Sequence, residues 1–108
     1  MAIDVDIDSL RVSDFQDYNL IDIREHEEIL DYPSVLPCPH IPFSGFPDNI
    51  HEFDKSEKYL LFCAMGGRSH YMAEALRQMG VEALSVNNGI ASVNAYLKKI
   101  AHAPSSDQ

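Results

Sequence analysis

Tyr59-Leu60-Leu61-Phe62 is an unbroken apolar run between Lys58 and Cys63. A strand with one wet face alternates apolar and polar residues, so a run without alternation calls for cover on both faces. Flanking segments supply that cover. Ser69–Met79 sets Met72, Ala75, Leu76 and Met79 at helical spacing and stops at Gly80. A last helix follows the Asn87-Asn88-Gly89 turn and carries Ile90, Val93, Leu97 and Ile100 along one stripe. Leu20-Ile21-Asp22-Ile23 and Ala83-Leu84-Ser85-Val86 read as further strands, and Val5–Ile7 as an edge strand. Glu25–Asp31 reads as a charged helix, and Pro47–Phe53 as a short one with Ile50 and Phe53 on one face. Between them Pro33, Pro37, Pro39 and Pro42 impose an extended, turning path through His40 and Ile41. Strands alternating with helices predict an α/β fold, with a mostly parallel sheet and helices on both faces. Ligands of such folds bind beyond the carboxyl ends of the strands. Cys63 stands at one of those ends.

With 108 residues the chain can build one core, so residues 1–102 are expected to form a single domain and 103–108 a disordered tail. No apolar run approaches the roughly 18 residues of a membrane span. The acidic start, MAIDVDIDSL, lacks the basic-then-apolar layout of a secretory signal. Two cysteines are too few for a disulfide framework, and a reducing cytoplasm is the expected location. The net charge of −9 argues against nucleic acid as a partner. That charge is uneven: residues 1–62 carry fourteen acids and four bases, residues 63–108 three acids and four bases. A solvated acidic face is the plain reading of the first half. The five histidines show no metal-ligand spacing, and Glu25-His26-Glu27-Glu28 lacks the second histidine of a zinc protease motif, so no metal is expected.

The segment Cys63-Ala64-Met65-Gly66-Gly67-Arg68-Ser69 joins the apolar strand to a helix start. A helix N-terminus favours a thiolate, successive glycines let amide groups turn toward an anion, and Arg68 adds a permanent cation. Ser69 is placed to cap the helix. The bland alternative is a small buried thiol followed by a tight turn. Four features accompany the cysteine, and together they favour a nucleophile.

Leu20-Ile21-Asp22-Ile23-Arg24-Glu25, His40-Ile41-Pro42, Cys63–Ser69 and Val86-Asn87-Asn88-Gly89-Ile90 stand in the order of a rhodanese domain. The chain resembles a stand-alone rhodanese (a sulfurtransferase of the thiosulfate sulfurtransferase type) over about residues 20–97. The resemblance implies a five-stranded parallel sheet. It also implies a chemistry: Cys63 takes a sulfane sulfur from thiosulfate, polysulfide or a persulfide and holds it as a persulfide. A thiol or cyanide then accepts it, with no cofactor. Cys63 and Arg68 would be catalytic, and Ala64, Met65, Gly66, Gly67 and Ser69 would bind substrate. The partners implied are a small sulfur compound and a protein sulfur donor or acceptor, with no nucleic acid and no membrane.

Related phosphatases and arsenate reductases place five residues between cysteine and arginine. Here four separate Cys63 from Arg68, a ring too short for phosphate. Asp22 and Arg24 match the family's Asp-x-Arg and are expected to act as an ion pair or hydrogen-bond anchor beneath the loop, with His40 a hydrogen-bonded packing residue. His70 and Tyr71 could line the pocket mouth or simply the helix surface. Cys38 is a resolving thiol, a second sulfur carrier or an incidental cysteine in a proline-rich turn. Several positions depart from the pattern. Ala64 and Met65 leave Arg68 as the only loop cation, Pro39 replaces a glycine, Phe43-Ser44 replaces Gly-Ala, and the chain has no tryptophan. These departures admit a second reading, a catalytically weak module that binds a protein or carries sulfur, docking through its acidic half.

Overall fold

The computed structural model describes residues 2–101. The tail expected over 103–108 lies outside them. In chain order the elements are β1 (Asp4–Val5), α1 (Val12–Gln16), β2 (Asn19–Asp22), α2 (His26–Asp31), β3 (Lys58–Phe62), α3 (Gly67–Gln78), β4 (Glu82–Val86) and α4 (Gly89–Ala101). Short 3-10 turns cover Ile7–Ser9, Phe43–Gly45 and Asp48–Glu52. The strands form one parallel sheet in the order β1-β4-β3-β2, with Leu61 of β3 opposite Ile21 of β2 and Ser85 of β4.

The apolar run is the centre of this sheet, and its residues divide by alternation between two cores. Tyr59, Leu61 and Cys63 join Met72, Ala73 and Leu76 of α3, with Ile21, Ile23 and Ile41. Leu60 and Phe62 join Ile90, Val93, Tyr96 and Leu97 of α4, with Ile7 and Val86. Leu60, Leu61 and Phe62 retain no exposed surface, as cover on both faces requires.

The sheet has four strands among the described residues, where five were expected. The missing strand is reduced to a single parallel bridge between His40 and Asp22 at the β2 edge. The Asp22 amide donates to the Pro39 carbonyl and the Ile41 amide to the Asp22 carbonyl. Pro37, Pro39 and Pro42 have no N–H with which to extend that ladder. The N-terminal strand is also shorter than expected, because the chain turns into 3-10 geometry at Ile7 and buries that side chain under α4.

Candidate active site

Cys63 follows β3 directly and is 1% exposed. The chain then leaves the sheet over three exposed or half-buried residues and re-enters regular structure at Gly67. Gly66 makes that reversal possible: its φ of +116° lies where side chains are strained, and it forms the N-cap of α3. The helix therefore begins two residues earlier than its spacing predicted. Ser69 lies inside the first turn rather than at the cap, and it is fully buried.

Several donors converge on the Cys63 sulfur. The Gly66 amide donates to Sγ at 3.1 Å, and the Ser69 hydroxyl lies 3.5 Å away. Ser69 Oγ is also 2.6 Å from Ser85 Oγ of β4 and within hydrogen-bond reach of the Gly66 carbonyl at 3.2 Å. With the thiol protonated, Cys63 Sγ donates to Ser69 Oγ and the Ser69 hydroxyl donates to the Gly66 carbonyl; a thiolate can take the Ser69 proton instead, with Ser85 donating to Ser69. Burial pushes the Cys63 thiol up, yet the Ser69 hydroxyl and the amides of Ser69, Gly66 and Met65 outweigh it, and the net shift is downward. The helix N-terminus adds its partial positive charge. Physically this is an environment that stabilises a thiolate.

The loop is held from behind by the β4–α4 turn. The Ile90 amide donates to the Cys63 carbonyl at 2.9 Å. A Cβ on Gly89, which has a φ of +56°, would sit 2.3 Å from the Cys63 carbonyl oxygen and 2.4 Å from that of Ala64. Only glycine allows the turn to approach so closely.

Arg68 does not reach for the sulfur. Its guanidinium forms a two-point ion pair with Glu28 of α2, Nη1–Oε1 at 2.7 Å and Nη2–Oε2 at 2.8 Å. Hydrogen bonding to Arg68 holds the Glu28 carboxyl at about 2, far below its usual range. Glu28 is fixed from the other side as well, since its Oε1 accepts from the Glu25 amide at 2.9 Å in a capping box. Glu25 in turn accepts from the Ser44 amide and hydroxyl at 3.0 and 2.6 Å.

Asp22 and Arg24 form the expected pair beneath α2. Arg24 Nη2 lies 2.8 Å from Asp22 Oδ2, with the side chains 1% and 3% exposed. Arg24 Nη1 donates to the Tyr32 carbonyl at 2.7 Å, and the guanidinium stands 5.9 Å from the Phe62 ring centroid. His40 Nε2 is 2.6 Å from the Arg24 carbonyl. None of these contacts involves the Cys63 sulfur. Met65 lies at the loop tip with 83% of its surface exposed, while Ala64 and Gly66 are half-buried and Gly67 is exposed.

His70 faces away toward β1, with Nδ1 2.9 Å from an Asp4 carboxylate oxygen, and that hydrogen bond raises its basicity. Tyr71 is exposed and meets Phe43 edge-on at 5.9 Å. Cys38 belongs to the α4-face cluster, whereas Cys63 belongs to the α3-face cluster. Its thiol donates to the Leu36 carbonyl, and burial pushes it up. The arrangement thus gives Cys38 no part in the loop.

Two contributors were not visible as site residues in the sequence, Glu28 and Ser85. Ser85 had a signal, as the one polar side chain in the inner run of a strand. Glu28 had none, being one of three glutamates in a solvated-looking stretch. A cavity of about 390 Å³ is lined by Val5, Leu10, Tyr18, Lys58 and Leu84 among others and includes no residue of the Cys63 loop. The groups that surround the Cys63 sulfur lie instead at the loop.

The Rhodanese-like domain family profile matches residues 10–96. The chain belongs to the rhodanese-like family. Among curated relatives it is 31% identical to the "Putative sulfurtransferase YtwF" of Bacillus subtilis, over 66% of this chain and 68% of that one. It is 32% identical to a tRNA sulfurtransferase of Histophilus somni, covering 80% of this chain but 18% of that longer protein. Among solved structures it is similar to a rhodanese-like domain protein from Staphylococcus aureus, with 33% identity, a TM-score of 0.62 and 69% and 72% of the two chains covered. A rhodanese-related protein from Thermoplasma volcanium matches with 28% identity, a TM-score of 0.68 and coverage of 78% and 83%. The family and its α/β fold agree with the order of motifs in the sequence. Among the described residues no helix is long and apolar enough to cross a membrane.

Proposed function

We propose that this rhodanese-like chain is a cytoplasmic sulfurtransferase that carries sulfane sulfur as a persulfide on Cys63. The observation that supports this best is the sulfur's setting: a buried thiol with the Gly66 amide at 3.1 Å, the Ser69 hydroxyl at 3.5 Å and a shift toward the thiolate. In the first half-reaction the Cys63 thiolate attacks the outer sulfur of the donor, forming an S–S bond. The donor's own bond to that sulfur breaks, and the leaving group departs with the bonding pair, as sulfite in the case of thiosulfate. The new terminal sulfur keeps a negative charge that the loop donors can accept. In the second half-reaction a thiolate or cyanide attacks that terminal sulfur, and Cys63 leaves as the thiolate. Covalent catalysis of this kind uses no cofactor. Arg68 takes part through its field and by fixing the first turn of α3. The donor or acceptor is a small sulfur compound or a partner protein's sulfur.

Exposed Met65 at the loop tip favours a second reading, in which the domain chiefly docks a partner protein. Intact-mass analysis with peptide mapping separates the two. The reduced protein is incubated with thiosulfate and, separately, with polysulfide. One added sulfur on Cys63 that cyanide removes is the expected result, with none on Cys63→Ser. Absence of the adduct from both donors refutes the sulfurtransferase reading.

A further inference from the structure

Arg68 is the only cation in the Cys63 loop, and it is not free. Both of its terminal nitrogens are engaged by the two Glu28 oxygens, at 2.7 and 2.8 Å. The pairing is built rather than incidental. Glu28 is held by the Glu25 amide, Glu25 is held by Ser44, and so α2 presents the carboxylate in a fixed position. The Glu25 carboxylate also contributes negative potential at Arg68. The Glu28 carboxylate therefore matches the Arg68 guanidinium charge for charge, and the tip of the loop is the uncharged Met65. A dianion entering this loop meets no uncompensated positive side chain, only amide dipoles.

We infer that Glu28 is a specificity-determining positioning residue: by neutralising Arg68 it makes the Cys63 site discriminate against dianionic sulfur donors and favour neutral or monoanionic sulfane sulfur carried on an apolar group. This rests on the sulfurtransferase reading of Cys63. The charge control itself can be measured without any sulfur transfer, by comparing two alkylating agents of similar size at the same thiol. Iodoacetamide is neutral and iodoacetate is anionic, so the ratio of their rates at Cys63, located by peptide mapping, reports the local potential.

Glu28→Gln keeps an oxygen for the Glu25 amide and removes the charge. The iodoacetate-to-iodoacetamide ratio should rise about tenfold, the size expected of one uncancelled charge acting across a solvated loop. With thiosulfate as donor, KM should fall about tenfold while kcat changes little, a split that loss of packing alone would not give. Arg68→Gln should lower the ratio and raise KM, and the double variant should return both toward wild type. A ratio that stays at the wild-type value in folded Glu28→Gln overturns the inference. The same holds for a ratio unmoved in Arg68→Gln, which serves as the test should Glu28→Gln not fold. A ratio that moves as expected, in a protein that takes sulfur from no donor, supports the charge control of Glu28 and overturns the sulfurtransferase reading.

Discussion

Replacing Arg24 by leucine separates an anchoring role for the Asp22–Arg24 pair from a catalytic one. The guanidinium makes three contacts to the Asp22 carboxylate, Nε–Oδ1 at 3.0 Å, Nε–Oδ2 at 3.3 Å and Nη2–Oδ2 at 2.8 Å, and both side chains are almost wholly buried. In Arg24→Leu the carboxylate keeps only the amide of residue 24, and the Tyr32 carbonyl loses its 2.7 Å donor. Removing one partner of a buried pair costs about 3–5 kcal/mol, because the charge left behind is neither solvated nor paired. Against a total stability of roughly 5–15 kcal/mol for a domain this is a large share. With a urea m value of about 1.5 kcal/mol/M, a loss of about 4 kcal/mol moves the midpoint down by roughly 2.5 M. Urea titration followed by far-ultraviolet circular dichroism reads this directly, and with no tryptophan in the chain it is the natural probe. Asp22→Leu combined with Arg24→Leu removes the stranded charge and should be about 2 kcal/mol more stable than the single variant. A single variant within about 1 kcal/mol of wild type, or a double variant no better than the single, would refute the reasoning.

Acid titration should expose the Glu28–Arg68 pair. The folded Glu28 carboxyl is held at about 2 against 4.5 for the free group, so its contribution is fully present above about pH 4.5 and is lost as pH falls toward 2. One-third exposure of both side chains screens it to about 1–2 kcal/mol, and Glu28→Gln should flatten that part of the stability profile. Gly89→Ala places a Cβ against two loop carbonyls at a positive φ. It should cost more than the roughly 1–2 kcal/mol of the backbone conformation alone, with altered iodoacetamide reactivity at Cys63; unchanged melting and reactivity would contradict the close approach. Ser69→Ala removes a hydroxyl that holds the Cys63 thiol's pKa down, and the midpoint of the alkylation-versus-pH curve should move up. A curve that stays put would mean that the amides alone set the thiol's acidity.

Most of the fold was legible because β3 and the helix stripes encode burial directly. Tyr59-Leu60-Leu61-Phe62 has no polar residue to turn toward water, and Ile90, Val93 and Leu97 repeat at the helical period. α1 was not legible: five residues with none buried leave no stripe to read. The fifth strand failed for a reason already in the sequence, since alternate prolines cannot extend a ladder, and the resemblance outweighed that signal. Within the site, Cys63 and the Gly66 turn were readable as local chemistry. The direction of Arg68 was not, because its partner lies 40 positions away in the chain and only the tertiary fold selects Glu28 from among Glu25, Glu27 and Glu28. The start of α3 was misplaced because Gly66, in a left-handed conformation, caps the helix with its backbone, a role that side-chain capping preferences do not reveal.

The alternation along β3 has a consequence for how the Cys63 sulfur is aimed. Tyr59, Leu61 and Cys63 point to the α3 face because they share parity along the strand, and Leu60 and Phe62 point the other way. Inserting one residue into β3 would turn the sulfur into the packed cluster against α4, out of reach of the Gly66 amide and the Ser69 hydroxyl. Inserting two would restore its side of the sheet. The face on which the thiol emerges is thus an odd-or-even property of strand length, set before any loop residue acts, and the loop only finishes what the count of residues has already decided.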